Sequence, residues 1–153
     1  MQGNFVGTDR NGTANWGNMQ EGVYLYQAPY NTIGGATAAE RNLISANTAH
    51  GVMISGTLAT GNKVQGNYIG VNAAGTSALA TSASGVYVFQ ATNNVIGGPA
   101  SGERNLISGN ASNGVVITGT LATGNKLQGN YIGTNKDGQC ALDAQNNCPL
   151  RNG

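Results

Sequence analysis

Acidic side chains are the first residues in this chain that could do chemistry. Hydrolysis or elimination on a polysaccharide needs carboxylates, or a carboxylate with a base, gathered at one point of a groove. Glu40 and Arg41 recur as Glu103 and Arg104, and a pair that is copied at the same repeat position indicates a structural role, in pairing charges or anchoring a corner. The full acidic set is Asp9, Glu21, Glu40, Glu103, Asp137 and Asp143, and it predicts no catalytic residue.

The other polar candidates also fit structural positions. Asp9 and Asp137 follow strand-like segments, where a short acidic side chain stabilises a turn. His50 is the only histidine and has no serine, cysteine or acidic partner close in sequence, so we expect a solvated loop residue rather than a general base. Lys63 and Lys126 occupy equivalent outward positions and predict a soluble face rather than an anion site.

Two cysteines are the one chemical feature that does not repeat. Cys140 and Cys148 lie eight residues apart, and no histidine stands at a spacing typical of a metal site. Their position predicts a disulfide that closes a terminal loop. A disulfide favours an oxidising environment, and therefore an extracellular or cell-surface location. We expect no metal and no cofactor.

Glycine and asparagine dominate the composition, with 25 and 21 of the 153 residues. Both disfavour helices, which excludes a helical bundle. Charged residues make up 8% of the chain and the net charge is +1, so the sequence excludes a nucleic-acid partner that needs a basic surface. No apolar run reaches the roughly 18–20 residues of a membrane span, so we expect no membrane insertion. Disorder is the rival interpretation for a polar, glycine-rich chain.

A period of 63 residues argues against disorder. QGNFVGT at 2–8 returns as QGNYIGV at 65–71 and as QGNYIGT at 128–134, and residues 22–70 match residues 85–133 at 33 of 49 positions without a gap. A long fixed period is the signature of stacked repeats. Gly-Val pairs at 22, 51, 85 and 114 divide the period into two coils, so the repeating unit is a double coil.

Each coil contains three short segments in which aliphatic residues alternate with other residues, a pattern typical of half-buried strands. Stacked in register, they predict a parallel β-helix. The motif of Asn, any residue and an aliphatic residue predicts a ladder of asparagines from coil to coil, at Asn4, Asn31, Asn42, Asn62, Asn67, Asn94, Asn105, Asn125 and Asn130. The predicted inward residues are Val6, Val23, Leu25, Ile33, Ile44, Val52, Ile54, Val64, Ile69, Val86, Val88, Ile96, Ile107, Val115, Ile117, Leu127 and Ile132.

Aromatic residues at outward positions of these strands are the remaining candidates for binding. The candidate surface residues are Phe5, Tyr68 and Tyr131 on the third strands of the coils, and Tyr24, Tyr26, Tyr87 and Phe89 on the first strands. Leu43 and Leu106 complete the stripe on the third strands. Such stripes are covered by the chain's own long loops, form an interface with another protein chain, or stack on sugar rings. The sequence leaves these alternatives open.

The segments GNYIGT, GVxI, NxIGG and RNLISGN resemble the degenerate repeats of bacterial secreted and cell-surface right-handed parallel β-helix proteins, which share the pectate-lyase-like fold. The resemblance covers residues 2–135. It implies a right-handed coil, which agrees with the handedness of parallel crossovers. In that superfamily the same coil serves polysaccharide lyases, phage tailspikes, adhesins and structural stalks, so the resemblance does not determine an activity.

Together these observations predict an all-β, right-handed parallel β-helix (a β-solenoid) of about five coils, each of three short strands. We expect one domain over 1–153, with repeats at 2–64 and 65–127, a partial repeat at 128–139, and a terminal loop at 140–153 closed by the disulfide.

The predicted function is that of a structural repeat module of an extracellular protein. It would serve as a rigid stalk or adhesin segment, or as a fibre subunit that self-assembles end to end. The alternative is a carbohydrate-binding or polysaccharide-degrading, lyase-like β-helix. Because an uncapped coil exposes unpaired strand edges, the expected partners are another copy of the chain, end to end or side by side, or the rest of a longer parent chain. A polysaccharide is the partner under the alternative.

Overall fold

The computed structural model describes residues 1–140 and 148–153, which form an all-β parallel β-solenoid. Sheet 1 contains β1 (Phe5–Val6), β4 (Leu43–Ile44), β7 (Tyr68–Ile69), β10 (Leu106–Ile107) and β13 (Tyr131–Ile132). Sheet 2 contains β2 (Val23–Tyr26), β5 (Val52–Ser55), β8 (Val86–Phe89) and β11 (Val115–Thr118). Sheet 3 contains β3 (Thr32–Gly34), β6 (Lys63–Gln65), β9 (Val95–Gly97) and β12 (Lys126–Gln128).

Every strand pair in these sheets is parallel, and equivalent repeat positions lie directly above one another. In sheet 2, for example, Leu25, Ile54, Val88 and Ile117 form one column. Short 3-10 turns at Ala38–Glu40 and Ser101–Glu103 precede β4 and β10. Within the described ranges, no helix is long and apolar enough to span a membrane.

The core is a stack of aliphatic side chains enclosed by the three sheets. Alternation along each strand places one residue in two inside, which is why the period-2 pattern predicts these positions. The buried members are Leu25, Ile33, Ile44, Val52, Ile54, Val64, Ile69, Val86, Val88, Ile96 and Ile107, with Val6, Val23 and Val115 partly buried against them. The prediction of an aliphatic core is therefore confirmed along most of its length.

The prediction is wrong for three residues of the last coil. Ile117, Leu127 and Ile132 are 38%, 46% and 41% exposed. Their counterparts 63 residues earlier, Ile54, Val64 and Ile69, are completely buried. The difference arises because β11, β12 and β13 are the outermost strands of their sheets, so the described residues provide no further coil to cover them. We call this apolar surface the end face.

Two asparagine ladders run along the corners of the solenoid, as the motif predicts. The first consists of Asn4, Asn42, Asn67, Asn105 and Asn130, and the second of Asn31, Asn62, Asn94 and Asn125. In each link, the backbone N–H and the side-chain Nδ2 of one rung both donate to Oδ1 of the next rung, as Asn62 does to Asn94 at 2.9 and 3.0 Å. The links therefore satisfy polar groups that the stacked corners bury.

A third ladder, which the sequence did not predict, precedes sheet 2. Its rungs are Asn18, Asn47, Thr81, Asn110 and Asn152. Thr81 stands where the repeat places Asn18 63 residues earlier, and its hydroxyl donates to Oδ1 of Asn110 at 2.8 Å. A threonine has no amide to continue the link on its other side, and Nδ2 of the fully buried Asn47 has no hydrogen-bond partner.

Restoring the third ladder with Thr81→Asn is expected to stabilise the protein by about 1–2 kcal/mol. The new Oδ1 would accept the orphaned Nδ2–H of Asn47, and a buried donor without a partner costs about 1–3 kcal/mol. The new Nδ2 would replace the hydroxyl as donor to Asn110. Urea-induced unfolding followed by circular dichroism measures the change as a higher midpoint.

The matched control is Thr81→Val, which keeps the shape and removes the hydroxyl. It leaves Asn47 unpaired and takes a donor from Asn110, so its midpoint should fall. A midpoint for Thr81→Asn at or below that of the unmodified protein would show that the amide does not fit the rung.

Candidate functional site

The outer face of sheet 1 carries one of the two predicted aromatic stripes. Phe5, Leu43, Tyr68, Leu106 and Tyr131 pair directly in register on β1, β4, β7, β10 and β13. Only Phe5 is largely exposed, whereas Leu43 and Leu106 are buried and the two tyrosines are half-buried. Of the three alternatives for this stripe, the chain's own loops account for most of the cover.

Three stacked loops provide this cover, at 9–14, 72–77 and 135–139. The backbone N–H of Ala73 donates to the carbonyl of Gly12 at 3.0 Å, and that of Lys136 donates to the carbonyl of Gly75 at 3.1 Å. The first loop lies so close to Leu43 that a Cβ at Gly12 would come within 2.5 Å of its Cδ2. The loops thereby bury a second apolar cluster of Val71, Leu106 and Leu150, with Tyr68, Tyr131 and Cys148 packed against it.

A side-chain oxygen shapes each of these loops from within. Oδ1 of Asp9 accepts the N–H groups of Thr13 and Ala14 at 2.7 and 2.9 Å. Asn72 and Asn135 do the same 63 and 126 residues later. The bonds from Ala14 and Thr13 lower the pKa of Asp9 below its usual value. The turn role predicted for Asp9 is confirmed, whereas the predicted turn residue Asp137 instead forms an ion pair with Lys136.

Two arginines lie against the tyrosines of sheet 1. The guanidinium carbon of Arg41 lies 4.1 Å from the ring centroid of Tyr68, and that of Arg104 lies 5.2 Å from the ring of Tyr131. Nη1 of Arg104 also donates to the hydroxyl of Tyr131 at 2.8 Å. These contacts repeat every 63 residues, and a cation over an aromatic face contributes about 0.5–1 kcal/mol at an exposed site.

The glutamates next to these arginines turn away from them. Oε2 of Glu40 accepts from the backbone N–H and the hydroxyl of Thr37, both at 3.0 Å, and these bonds lower the pKa of Glu40. Glu103 accepts the N–H of Ala100 at 3.0 Å. Both carboxylates thus anchor the 3-10 turns, as one half of the prediction states. The other half, a Glu–Arg charge pair, is wrong for the described residues, whose ion pair is Lys136–Asp137.

The second aromatic stripe lies on the outer face of sheet 2, away from the first. Tyr24, Tyr26 and Phe89 are exposed there, and Tyr87 is half-buried. Tyr24 and Tyr26 have ring centroids 5.8 Å apart. Tyr26 and Phe89 flank Ser55 on the intervening strand. The seven aromatic candidates therefore form two separate faces rather than one continuous surface.

His50 is not the solvated loop residue that we expected. Its ring stacks on Tyr87, with centroids 4.4 Å apart and planes 18° from parallel. Its Nδ1 accepts the backbone N–H of Ser84 at 3.3 Å. The cause is non-local, since stacking of the next coil brings a tyrosine 37 residues away beside the histidine. The stack occupies the ring on one side and Nδ1 with a backbone donor.

The predicted disulfide between Cys140 and Cys148 is present, with the Cα atoms 5.7 Å apart. The rest of the predicted loop at 141–147, including the acidic candidate Asp143, lies outside the described residues. Beyond the disulfide, Leu150 packs into the second apolar cluster and Asn152 completes the third ladder. The bond thus lies next to a segment that is tied to the solenoid.

Within residues 1–140 and 148–153, no group of three or more His, Cys, Asp or Glu side chains could hold a metal ion. The engaged polar groups of Glu40, Glu103, His50 and Asp9 stabilise turns or stack on rings, and none of them faces another across a groove. No family model, curated protein or solved structure matches this chain. Its function must therefore be inferred from the solenoid itself.

Proposed function

We propose that this chain is a structural repeat module of an extracellular protein, a rigid stalk or adhesin segment. One observation carries the proposal: the side chains best able to do chemistry are engaged in turns and stacks, while the core and ladders continue through successive coils. Each coil packs on its neighbours over its whole cross-section, and such arrays are stiff in one dimension. We further propose that the coil is right-handed and that the chain comprises about five coils.

The end face supports a partner that is itself a coil. Ile117, Leu127 and Ile132 present core residues at an unpaired strand edge, and an exposed apolar edge recruits another strand. The proposed partner is the rest of a longer parent chain or a second copy. The disulfide is compatible with an extracellular or cell-surface location.

The strand counts favour a stalk over a seamless fibre of this 153-residue chain. Sheet 1 has five strands, whereas sheets 2 and 3 have four. If two copies stacked end to end, β13 would meet β1 of the second copy. In sheet 2, β11 and the next β2 would then be separated by one vacant strand position, about 4.8 Å wide.

Light scattering at rising concentration, combined with negative-stain microscopy, tests this distinction. We expect single particles that stay short at all concentrations. Fibres would instead assign the chain to end-to-end assembly and contradict the strand-count argument. Turnover of a panel of acidic and neutral polysaccharides tests the enzyme alternative. Activity that is lost in Glu40→Gln or Glu103→Gln, but kept in the exposed control Asp137→Asn, would overturn the structural proposal.

Sugar binding by sheet 2 is the second candidate, because Tyr24, Tyr26 and Phe89 remain uncovered on one face. Tyrosine and phenylalanine rings offer flat apolar surfaces for stacking. Glycan-array binding that is lost in Tyr26→Ala and Phe89→Ala would support this candidate. Tyr30→Ala is the matched control, since Tyr30 is also exposed but lies outside the strands of sheet 2. Equal loss in all three variants would contradict it.

A further inference from the structure

A cleft of about 240 Å³ opens beside the tyrosines of sheet 1. Its lining includes Arg41, Tyr68, Ser101, Arg104, Tyr131 and Lys136. These residues come from coils that are successive in space, because Tyr68 and Tyr131 flank Leu106 in the register of β7, β10 and β13. The cleft therefore exists only in the stacked solenoid and lies outside the aliphatic core.

Three of the lining side chains are cations, and none is a carboxylate. Lys136 is paired with Asp137 at 2.7 Å on the exposed rim. Arg41 and Arg104 have no ion pair among the described residues, since Glu40 and Glu103 face their own 3-10 turns. Two unneutralised guanidinium groups thus share one concave space, and a concave surface with one sign of charge attracts the opposite ion.

The arginines are held in place yet keep hydrogen-bond donors to spare. A guanidinium group has five N–H donors. For Arg104, the described structure engages Nη1 with the hydroxyl of Tyr131, while its buried Nε has no acceptor. For Arg41, Nε makes a long bond of 3.4 Å to the carbonyl of Gly66, and the group rests on the ring of Tyr68. Ring contacts therefore pre-position both groups without consuming their charge.

We propose that this cleft binds an oxyanion: a sulfate, phosphate or carboxylate group, either free or carried on a polymer. Guanidinium donors match the oxygen geometry of such groups. The hydroxyls of Ser101 and Tyr68 supply further polar groups in the lining. The site is independent of the proposed structural function, because it uses the outer face of sheet 1 and neither the core nor the end face.

Nuclear magnetic resonance of the arginine Nε–Hε groups tests the proposal directly. The chain has four arginines, so Arg10 and Arg151 serve as internal controls for Arg41 and Arg104. Sodium sulfate, sodium phosphate and sodium acetate are titrated against sodium chloride at matched ionic strength, which holds screening constant. We expect saturable shifts confined to Arg41 and Arg104. Shifts of equal size at all four arginines, or shifts equal to those in chloride, would overturn the proposal.

A polymer arm uses heparin in the same titration, with neutral dextran as control. Saturation by heparin together with a free oxyanion assigns a site for the group itself, and saturation by heparin alone assigns a polymer-borne group. Arg104→Gln is expected to weaken binding at least tenfold, whereas Arg10→Gln should leave it unchanged. Arg41→Gln is the second variant if Arg104→Gln does not fold. Unchanged affinity in the folded arginine variant would contradict the proposal.

Discussion

Asn67→Ala is expected to lower the free energy of unfolding by about 3 kcal/mol or more. Oδ1 of Asn67 accepts the backbone N–H and the Nδ2–H of Asn42, at 3.2 and 2.9 Å. Its Nδ2 is placed to donate to the carbonyls of Ile33 and Gln65 and to Oδ1 of Asn105. Both neighbouring rungs are buried. Alanine would therefore orphan several groups at once, and each buried orphan costs about 1–3 kcal/mol.

Asn4→Ala is the matched control, because Asn4 belongs to the same ladder but lies at its exposed end. There Oδ1 of Asn42 keeps the bond from the backbone N–H of Asn4 at 3.0 Å. We expect a loss of less than about 1 kcal/mol, the net value of an ordinary hydrogen bond. Urea unfolding followed by far-ultraviolet circular dichroism measures both variants. Equal losses would show that burial of the rung does not determine its contribution.

Gly70→Ala is expected to be the most damaging of the glycine substitutions that can be compared with a matched control. Gly70 has φ of 83°, where an L-residue pays about 1–2 kcal/mol. A Cβ there would also collide with the carbonyl of Ser108 and the side-chain oxygen of Asn110 in the neighbouring coil. The coil spacing is set by backbone hydrogen bonds, so the clash cannot relax locally. Overpacking of this kind costs about 1–3 kcal/mol more.

Gly133 is the same residue one repeat later and separates the two costs. Its φ is 76°, but the nearest atoms to an added Cβ lie 3.8 and 3.9 Å away. Gly133→Ala should therefore show only the conformational cost of about 1–2 kcal/mol. The difference between the two unfolding midpoints measures the clash between coils. If both variants lose the same stability, close stacking at this corner is not what requires glycine.

The 63-residue period was sufficient to predict the parallel solenoid, its strands and two of its ladders. Each of those features repeats a short local pattern, such as Asn-Lys-Val at 62–64 and Asn-Lys-Leu at 125–127. Burial at the end of the stack is different. Ile54 and Ile117 occupy the same repeat position, yet one is completely buried and the other is 38% exposed. Burial there depends on a neighbouring coil, which a residue's own pattern does not encode.

The candidate site was less predictable because its contacts join residues on different coils. The stack of His50 on Tyr87 and the approach of Arg41 to Tyr68 cross 37 and 27 positions of the chain. One signal was available: Arg41 and Tyr68 both recur 63 residues later as Arg104 and Tyr131. A pair that recurs together on adjacent coils is a candidate contact. The third ladder gave no comparable signal, since its rungs lack the aliphatic residue two positions later.

The asparagine ladders also give the solenoid an electrical direction. Every link joins an amide N–H of one coil to an amide oxygen of the following coil, so the side-chain dipoles align along the axis. The first rungs, Asn4 and Asn31, leave oxygens at the leading end, while Asn130 and Asn125 leave backbone N–H groups at the trailing end. With a net charge of only +1, this alignment makes the two ends chemical opposites. A coil that joins the end face continues the ladders only when its asparagine oxygens arrive first.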